Sequence, residues 1–121
     1  MGLDMFAFAT DSNIPYADFE CPDDAEQIHY WRKHPNLHGW MRGLYERKGG
    51  DDLEFNCVNV QLKAADLDAL EQAVTYGALP PTAGFFFGTS DGSERPDDLE
   101  FIHKARAKIA SGRRVYYTSW W

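Results

Sequence analysis

A chain of 121 residues, 44% of them hydrophobic and 26% charged, is the size of one domain, so residues 1–121 are predicted to fold as a single unit. The net charge of −7 argues against a nucleic-acid partner and against an anionic lipid surface. No apolar run reaches the roughly 18 residues of a membrane-spanning helix, and the first five residues lack the features of a signal peptide, so we expect a cytoplasmic protein with Cys21 and Cys57 as free thiols.

The first half of the chain reads as two strands followed by a helix. The apolar run over residues 3–9 predicts a strand, and alternation over 27–32 predicts a second one. Pro35 suits the first turn of a helix that runs to about Lys48 and ends at the glycine pair 49–50. The apolar residues of this helix recur at the spacing of one buried stripe, namely Leu37, Trp40, Met41, Leu44 and Tyr45.

The second half adds two strands, two helices and an extended aromatic segment. A third strand is predicted over 55–62, a helix over 64–76 and an extended segment over 79–88. Pro96 opens a third helix, which Gly112 ends, and residues 114–121 form the last strand. This order predicts an α+β fold, with three helices packed on one face of a mostly antiparallel sheet of about four strands.

The extended segment holds three consecutive phenylalanines between Gly84 and Gly88. Neighbouring side chains of an extended backbone point to opposite sides. We therefore expect Phe85 and Phe87 on one side and Phe86 on the other, with at least two of the three rings buried. A ring that faces away from the core needs a second layer, a partner or a ligand to cover it.

Several marks along the chain resemble an uncharacterised family of short proteins from bacteriophages and bacterial genomes. These marks are the start MGLDM, the segment YWRK at 30–33, GFFFG at 84–88 and YYTSW at 116–120. Two positions depart from the family pattern: Lys63 replaces an expected serine helix cap, and the loop 91–94 lacks aromatic residues. The resemblance implies no established activity. Some members carry a phosphoglycerate kinase label, but this chain is too short for that enzyme's two lobes and lacks its phosphate-binding motif.

One polar set on the first two strands could form a site. If these strands are adjacent, Asp4 could orient the imidazole of His29 while Arg32 and Lys33 hold an anion. With His38, these residues would line the pocket of a small enzyme or of an anion-binding protein. The alternative is structural, with a buried salt bridge between Asp4 and Arg32 at a sheet edge and with His38 bonded to a carbonyl at the rim of the apolar stripe.

Metal and cofactor binding find little support in the sequence. His34 and His38 have the i, i+4 spacing of a helical metal pair, but Pro35 places His34 outside the helix. The acidic residues 91, 94, 97 and 98 lack the spacing of a calcium loop and read as a solvated helix start. We therefore predict no metal and no cofactor.

Nucleophilic catalysis also finds little support. The serines in question are Ser90, Ser93, Ser111 and Ser119, and none has a Gly-x-Ser-x-Gly setting. Cys57 lies in a predicted strand, where a cysteine is more often a small core residue.

The surplus of aromatic residues points to binding instead. Strand alternation should expose either Tyr116, Thr118 and Trp120 or else Tyr117 and Trp121. Exposed aromatics more often mark protein contacts than catalysis. We therefore favour a non-enzymatic binding or adaptor module, with binding candidates Arg32, Lys33, Trp40, Phe85, Phe86, Phe87, Tyr117, Trp120 and Trp121.

The partner is predicted to be another protein or a second copy of the chain. Terminal strands commonly lie at sheet edges, and an edge strand ending in Trp120 and Trp121 would expose both unpaired backbone and apolar area. A two-fold homodimer would cover both. The alternative is that this strand is central and that its tryptophans pack on the helices of the same chain.

Overall fold

Strands and helices follow one another in the predicted order. The computed structural model describes residues 2–84 and 87–121. In this part of the chain the elements are β1 (Asp4–Thr10), β2 (Glu26–Arg32), α1 (Pro35–Arg47), β3 (Val60–Leu62), α2 (Ala64–Thr75), α3 (Arg95–Ala110) and β4 (Arg114–Trp120). The four strands pair antiparallel in the order β2-β1-β4-β3. The α+β prediction is confirmed.

The C-terminal strand β4 is central, contrary to the prediction that it lies at an edge. It pairs with β1 along its whole length, from Asp4 opposite Trp120 to Thr10 opposite Arg114. Its other side pairs with β3. The argument for a dimer through an unpaired β4 edge is therefore wrong, because both sides of this strand already have partners in the same chain.

The two faces of the sheet differ in what covers them. On one face Met5, Ala7 and Ala9 of β1 are fully buried in the core beneath the helices. The alternate residues of β1, Phe6 and Phe8, point to the other face and are only partly buried. No helix is packed on that second face within the described residues, and we call it the open face.

The third strand is shorter than predicted. It begins at Val60 rather than at Phe55, because Phe55 and Cys57 have positive φ angles of 51° and 61°. A left-handed backbone cannot continue a pleated strand. The segment before β3 instead lies beside the end of β4, where Cys57 N–H donates to the carbonyl of Ser119 at 2.9 Å.

The start of α2 explains the unusual residue before it. Lys63 occupies the N-cap position, where a lysine side chain has no acceptor to offer. The Asp66 carboxylate, three residues on, accepts the backbone N–H of Lys63 at 2.8 Å. An acidic residue in the first turn thus replaces the missing serine cap and also complements the helix dipole.

The phenylalanine segment anchors a loop to the core through its third ring. Phe87 is 6% exposed, and its ring lies edge-on against His38 at 5.2 Å and Trp121 at 5.0 Å between centroids. Phe85 and Phe86 lie outside the described residues, so the predicted alternation of the three rings stays a prediction.

We predict that Phe87→Ala lowers the free energy of unfolding by about 3 kcal/mol, the usual cost of emptying a buried phenylalanine site. Urea titration of the variant and the parent measures this difference. Tyr76→Ala is the matched control, because Tyr76 is 81% exposed and should change stability by less than about 0.5 kcal/mol. Equal midpoints for Phe87→Ala and the parent would contradict the anchoring role.

Candidate functional site

The sheet separates the polar set that was predicted to form a site on β1 and β2. Asp4 lies opposite Arg32 in the register of these strands, and its Oδ1 is 3.8 Å from the Arg32 guanidinium. Tyr30 O–H donates to the same oxygen at 2.6 Å. The pair exists, but its side chains are 29% and 49% exposed, so it is not the buried salt bridge that was expected.

His29 points to the opposite face. It lies across from Ala7, a core residue, and its Nε2 is 3.0 Å from Asp97 Oδ2 on α3. Its ring packs against Trp31 at 4.5 Å between centroids. Asp4 and His29 are thus on different sides of the sheet and do not form an acid–base pair.

Lys33 is exposed and packs beside the loop that follows the phenylalanines. Gly88 has a φ of 76°, and a Cβ at this position would lie 2.7 Å from Lys33 Cβ. Both the left-handed backbone and the close approach require glycine here. The contact holds Lys33 against this loop rather than beside His29.

His38 is a core residue. Its Nδ1 shares a hydrogen bond with the Tyr117 hydroxyl at 2.6 Å, and its ring packs against Phe55 and Phe87. Burial lowers the pKa of His38 from 6.5 to about 4, and burial also raises the pKa of Tyr117 well above 10. Both groups are neutral near pH 7, and His38 bonds a hydroxyl, not the carbonyl that was expected.

The predicted binding residues are therefore divided between core and surface. Tyr117 is fully buried, which corrects its assignment to an exposed patch. Trp40 and Trp121 are partly buried against the core. Trp121 is held further by its backbone N–H, which donates to Asn56 Oδ1 at 3.0 Å. Trp120, in contrast, is 66% exposed.

Aromatic residues cluster on the open face of the sheet. The Phe6 ring lies 5.3 Å from that of Tyr30 and 6.2 Å from that of Phe8. Tyr30 is 44% and Trp120 66% exposed. We call Phe6, Phe8, Tyr30 and Trp120 the aromatic face. Of the two sets predicted to be exposed, the set of Tyr116, Thr118 and Trp120 is the one that points to the open face. Within this set, Tyr116 is covered by the rings of Phe8 and Phe19.

A groove of about 500 Å³ runs along this face. Its lining joins the face to the loop before β2 and to the segment before β3, and consists of Phe6, Phe8, Phe19, Glu20, Cys21, Cys57, Asn59, Thr118, Ser119 and Trp120. Both cysteines are free and exposed. The groove is thus mainly apolar, with one carboxylate in its wall.

A second cluster lies on the helix side and was missed by the sequence analysis. Asp98, near the start of α3, is only 2% exposed. Its Oδ1 accepts Trp31 Nε1–H at 3.1 Å, and its Oδ2 lies 2.8 Å from His34 Nε2. His34 Nδ1 lies 2.6 Å from Ser90 Oγ, and Ser90 Oγ also accepts the backbone N–H of Asn36 at 3.1 Å.

The contact with Asp98 decides that one ring nitrogen of His34 carries a proton. A carboxylate can only accept hydrogen bonds, so His34 Nε2 carries the proton and donates it toward Asp98. When His34 is neutral, its Nδ1 holds a lone pair that can accept a hydrogen bond from Ser90 O–H. In that form the cluster is a continuous chain in which a carboxylate orients an imidazole, and the other ring nitrogen of that imidazole accepts from a serine.

The expectation that Asp98 belongs to a solvated helix start is wrong, while its neighbour Asp97 is exposed as expected. Asp98 shares the i, i+3, i+4, i+7 spacing with Phe101, Ile102 and Ala105, all buried. An acidic residue in phase with an apolar stripe was the signal that could have identified a buried carboxylate.

The comparisons with known proteins add no family. No family model, no curated protein and no solved structure matches this chain. The resemblance to phage and bacterial proteins stays a prediction. In the described part of the chain, no helix combines the length and apolar character needed to cross a membrane.

We predict that His38 makes the protein less stable in acid. Because its pKa is about 4 when folded and 6.5 otherwise, the unfolded chain binds a proton more readily between these values. Stability is therefore unaffected above pH 6.5 and falls as the pH drops toward 4. At about 1.4 kcal/mol per pKa unit, the full loss is on the order of 3 kcal/mol.

Urea titrations between pH 7.5 and pH 4 test this, with His38→Gln expected to remove that part of the slope. His103→Gln is the control, because His103 is exposed on α3 and its loss should leave the slope unchanged. Parallel curves for the parent and His38→Gln would refute the assignment.

We also predict that chelation leaves the fold intact. Residues 2–84 and 87–121 contain no group of three or more His, Cys, Asp or Glu side chains placed to hold a metal ion. Because structural metals contribute directly to folding free energy, a chelator should not move the melting temperature. A clear fall on dialysis against chelator, reversed by adding metal, would overturn the prediction.

Proposed function

We propose that this protein is a binding module whose aromatic face accepts a peptide segment carrying apolar and basic side chains. The observation that carries the proposal is the exposure of Trp120 and Tyr30 beside the partly buried rings of Phe6 and Phe8. Clustered aromatics that remain exposed on a folded chain are typical of protein contact sites.

The scaffold beneath the aromatic face supports binding without rearrangement. Phe6 and Phe8 lie on β1, which pairs on both sides along the sheet. Trp120 ends β4, another interior strand. Rings held on paired strands lose little conformational freedom when a partner docks. Because β2 lies at the end of the sheet, an extended peptide can also pair with its backbone.

Charge favours a basic partner. Glu20 lines the groove, and the whole chain carries a net charge of −7. A positively charged segment is attracted to such a surface, while an acidic one is repelled. The free, exposed thiols of Cys21 and Cys57 suit a reducing, cytoplasmic setting for this interaction.

Selection from a displayed library of random peptides tests the proposal. We expect enrichment of sequences that combine Lys or Arg with aromatic or aliphatic residues. The enriched peptides should bind Trp120→Ala at least about tenfold more weakly, as expected for the loss of a central aromatic contact. Tyr76→Ala is the matched control, because Tyr76 is an exposed aromatic at the end of α2, and it should leave the affinity unchanged.

Three outcomes would count against the proposal. No enrichment, or enrichment of acidic peptides, would exclude a basic, apolar segment as the occupant. Equal loss of binding in Tyr76→Ala would exclude the aromatic face as its site. A second copy of the chain is the competing occupant. Sedimentation of the intact protein and of a form ending at Ser119 tests for this dimer. If the intact protein is a dimer and the truncated form is a monomer, the aromatic face binds a second copy of the chain and not a peptide.

A further inference from the structure

We propose that Ser90 is a nucleophile activated by His34, and that the cavity beside it hydrolyses a small ester. Nucleophilic chemistry requires a serine within about 2.6–3.2 Å of a base, which is itself oriented by a third group. Ser90 Oγ and His34 Nδ1 are 2.6 Å apart, and the Asp98 carboxylate lies 2.8 Å from His34 Nε2. The aromatic face takes no part in this site.

The ring nitrogens of His34 are used in the reverse sense from the triad of serine proteases, with Nδ1 toward the serine and Nε2 toward the carboxylate. Such constellations are recognised by geometry and role rather than by position in the chain. Asp98 is a positioning residue here, and Trp31 Nε1–H fixes its second oxygen at 3.1 Å.

A purely structural role for Ser90 would be that of a cap. Its Oγ accepts the Asn36 N–H at the start of α1, and that contact alone needs neither a histidine nor a buried acid. The capping contact also uses only part of the hydrogen-bonding capacity of the hydroxyl, which donates one hydrogen bond and has two lone pairs. After bonding His34 and Asn36, Ser90 Oγ keeps one lone pair for attack.

Two cavities that share Ser90 in their lining offer space for a substrate. A cavity of about 280 Å³ is lined by Ser90, His34 and Asp98, by the apolar Val74 and Leu79, and by charged residues of the loop and of the start of α3, namely Asp91, Glu94 and Arg95. A second cavity of about 420 Å³, on the side of Pro81 and Thr82, shares Ser90 and Asn36 with the first. The two cavities meet at Ser90, so one can hold the acyl group and the other the leaving group. The small first cavity restricts the acyl group to a short chain.

The reaction divides into two balanced steps. Ser90 Oγ attacks the ester carbonyl, its proton passes to His34 Nδ1, and the C–O bond to the leaving group breaks as His34 returns the proton to the departing alkoxide. An acyl–serine ester and a free alcohol result. Water then attacks this ester by the same proton path, which releases a carboxylic acid and restores Ser90. The positive end of the α1 dipole, beside Asn36, favours the negative charge that develops on the carbonyl oxygen.

A fluorophosphonate probe tests the nucleophile directly. The Ser90 oxygen displaces fluoride from phosphorus, and mass spectrometry of the intact protein and of its peptides locates the adduct. We expect one adduct, on Ser90, which is absent in Ser90→Ala. Ser93→Ala is the matched control, because Ser93 is exposed in the same loop and bonds only Asp91 among the described residues, and it should label like the parent.

Variants of the other two residues separate chemistry from structure. His34→Gln should slow labelling by about a hundredfold, the lower range for loss of a general base. Asp98→Asn should lower the maximal labelling rate by at least about tenfold and leave the half-saturating probe concentration unchanged. A packing defect would change both quantities. Circular dichroism confirms that each variant is folded.

Turnover of short-chain nitrophenyl esters completes the test, with hydrolysis expected for the parent and Ser93→Ala and lost in Ser90→Ala. No adduct on Ser90 in the folded parent would overturn the proposal and leave Ser90 as a helix cap. Labelling of Ser90 at the same rate in folded His34→Gln would also overturn it. Peptide binding at the aromatic face is measured separately, so either function can fail without the other.

Discussion

The buried carboxylate of Asp98 is the constraint on which much of this structure depends. A carboxylate that is almost removed from water is costly unless each oxygen finds a donor. Trp31 supplies one donor from the end of β2, and His34 supplies the other from the residue before α1. The start of α3 is thereby fixed to both elements. Charge-assisted bonds of this kind are shorter and stronger than neutral ones, so the three elements meet in one defined arrangement.

Strand β4 distributes its aromatic side chains between two different environments. Tyr117 points to the helix side, where its hydroxyl satisfies the buried His38. Tyr116 and Trp120 point to the open face, where Phe8 and Phe19 cover Tyr116 and leave Trp120 largely exposed. The strict alternation of a strand thus explains why adjacent tyrosines differ in role. It also explains how a short chain with 15% aromatic residues fills a core and still leaves aromatic rings exposed on the open face.

Local patterns predicted the elements well, because periodicity and turn residues are properties of neighbouring positions. The proline at 35 and the glycine pair 49–50 bracketed α1 closely. The predictions that were wrong depended on contacts between segments that are distant in the sequence. The aromatic residues at the end of the chain do not show that β4 lies between β1 and β3. The residues around Phe55 and Cys57 do not predict their positive φ angles. The Ser90–His34–Asp98 cluster joins three segments that are distant in the sequence. The one local sign of it is that Asp98 falls at the spacing of the buried residues of α3.

The phenylalanine segment connects the core to that cluster. Phe87 is buried against His38 and Trp121. Gly88 follows with a left-handed backbone and a close approach to Lys33. Two residues later, Ser90 reaches His34 and the start of α1. The position of the Ser90 hydroxyl is therefore fixed in two ways. The buried ring of Phe87 anchors the chain before it, and two hydrogen bonds hold the hydroxyl itself. A side chain held in this way needs little reorganisation before it reacts, which is the property that preorganised sites use. The same anchor explains why a loop rich in glycine and serine can hold a hydroxyl in place beside a cavity.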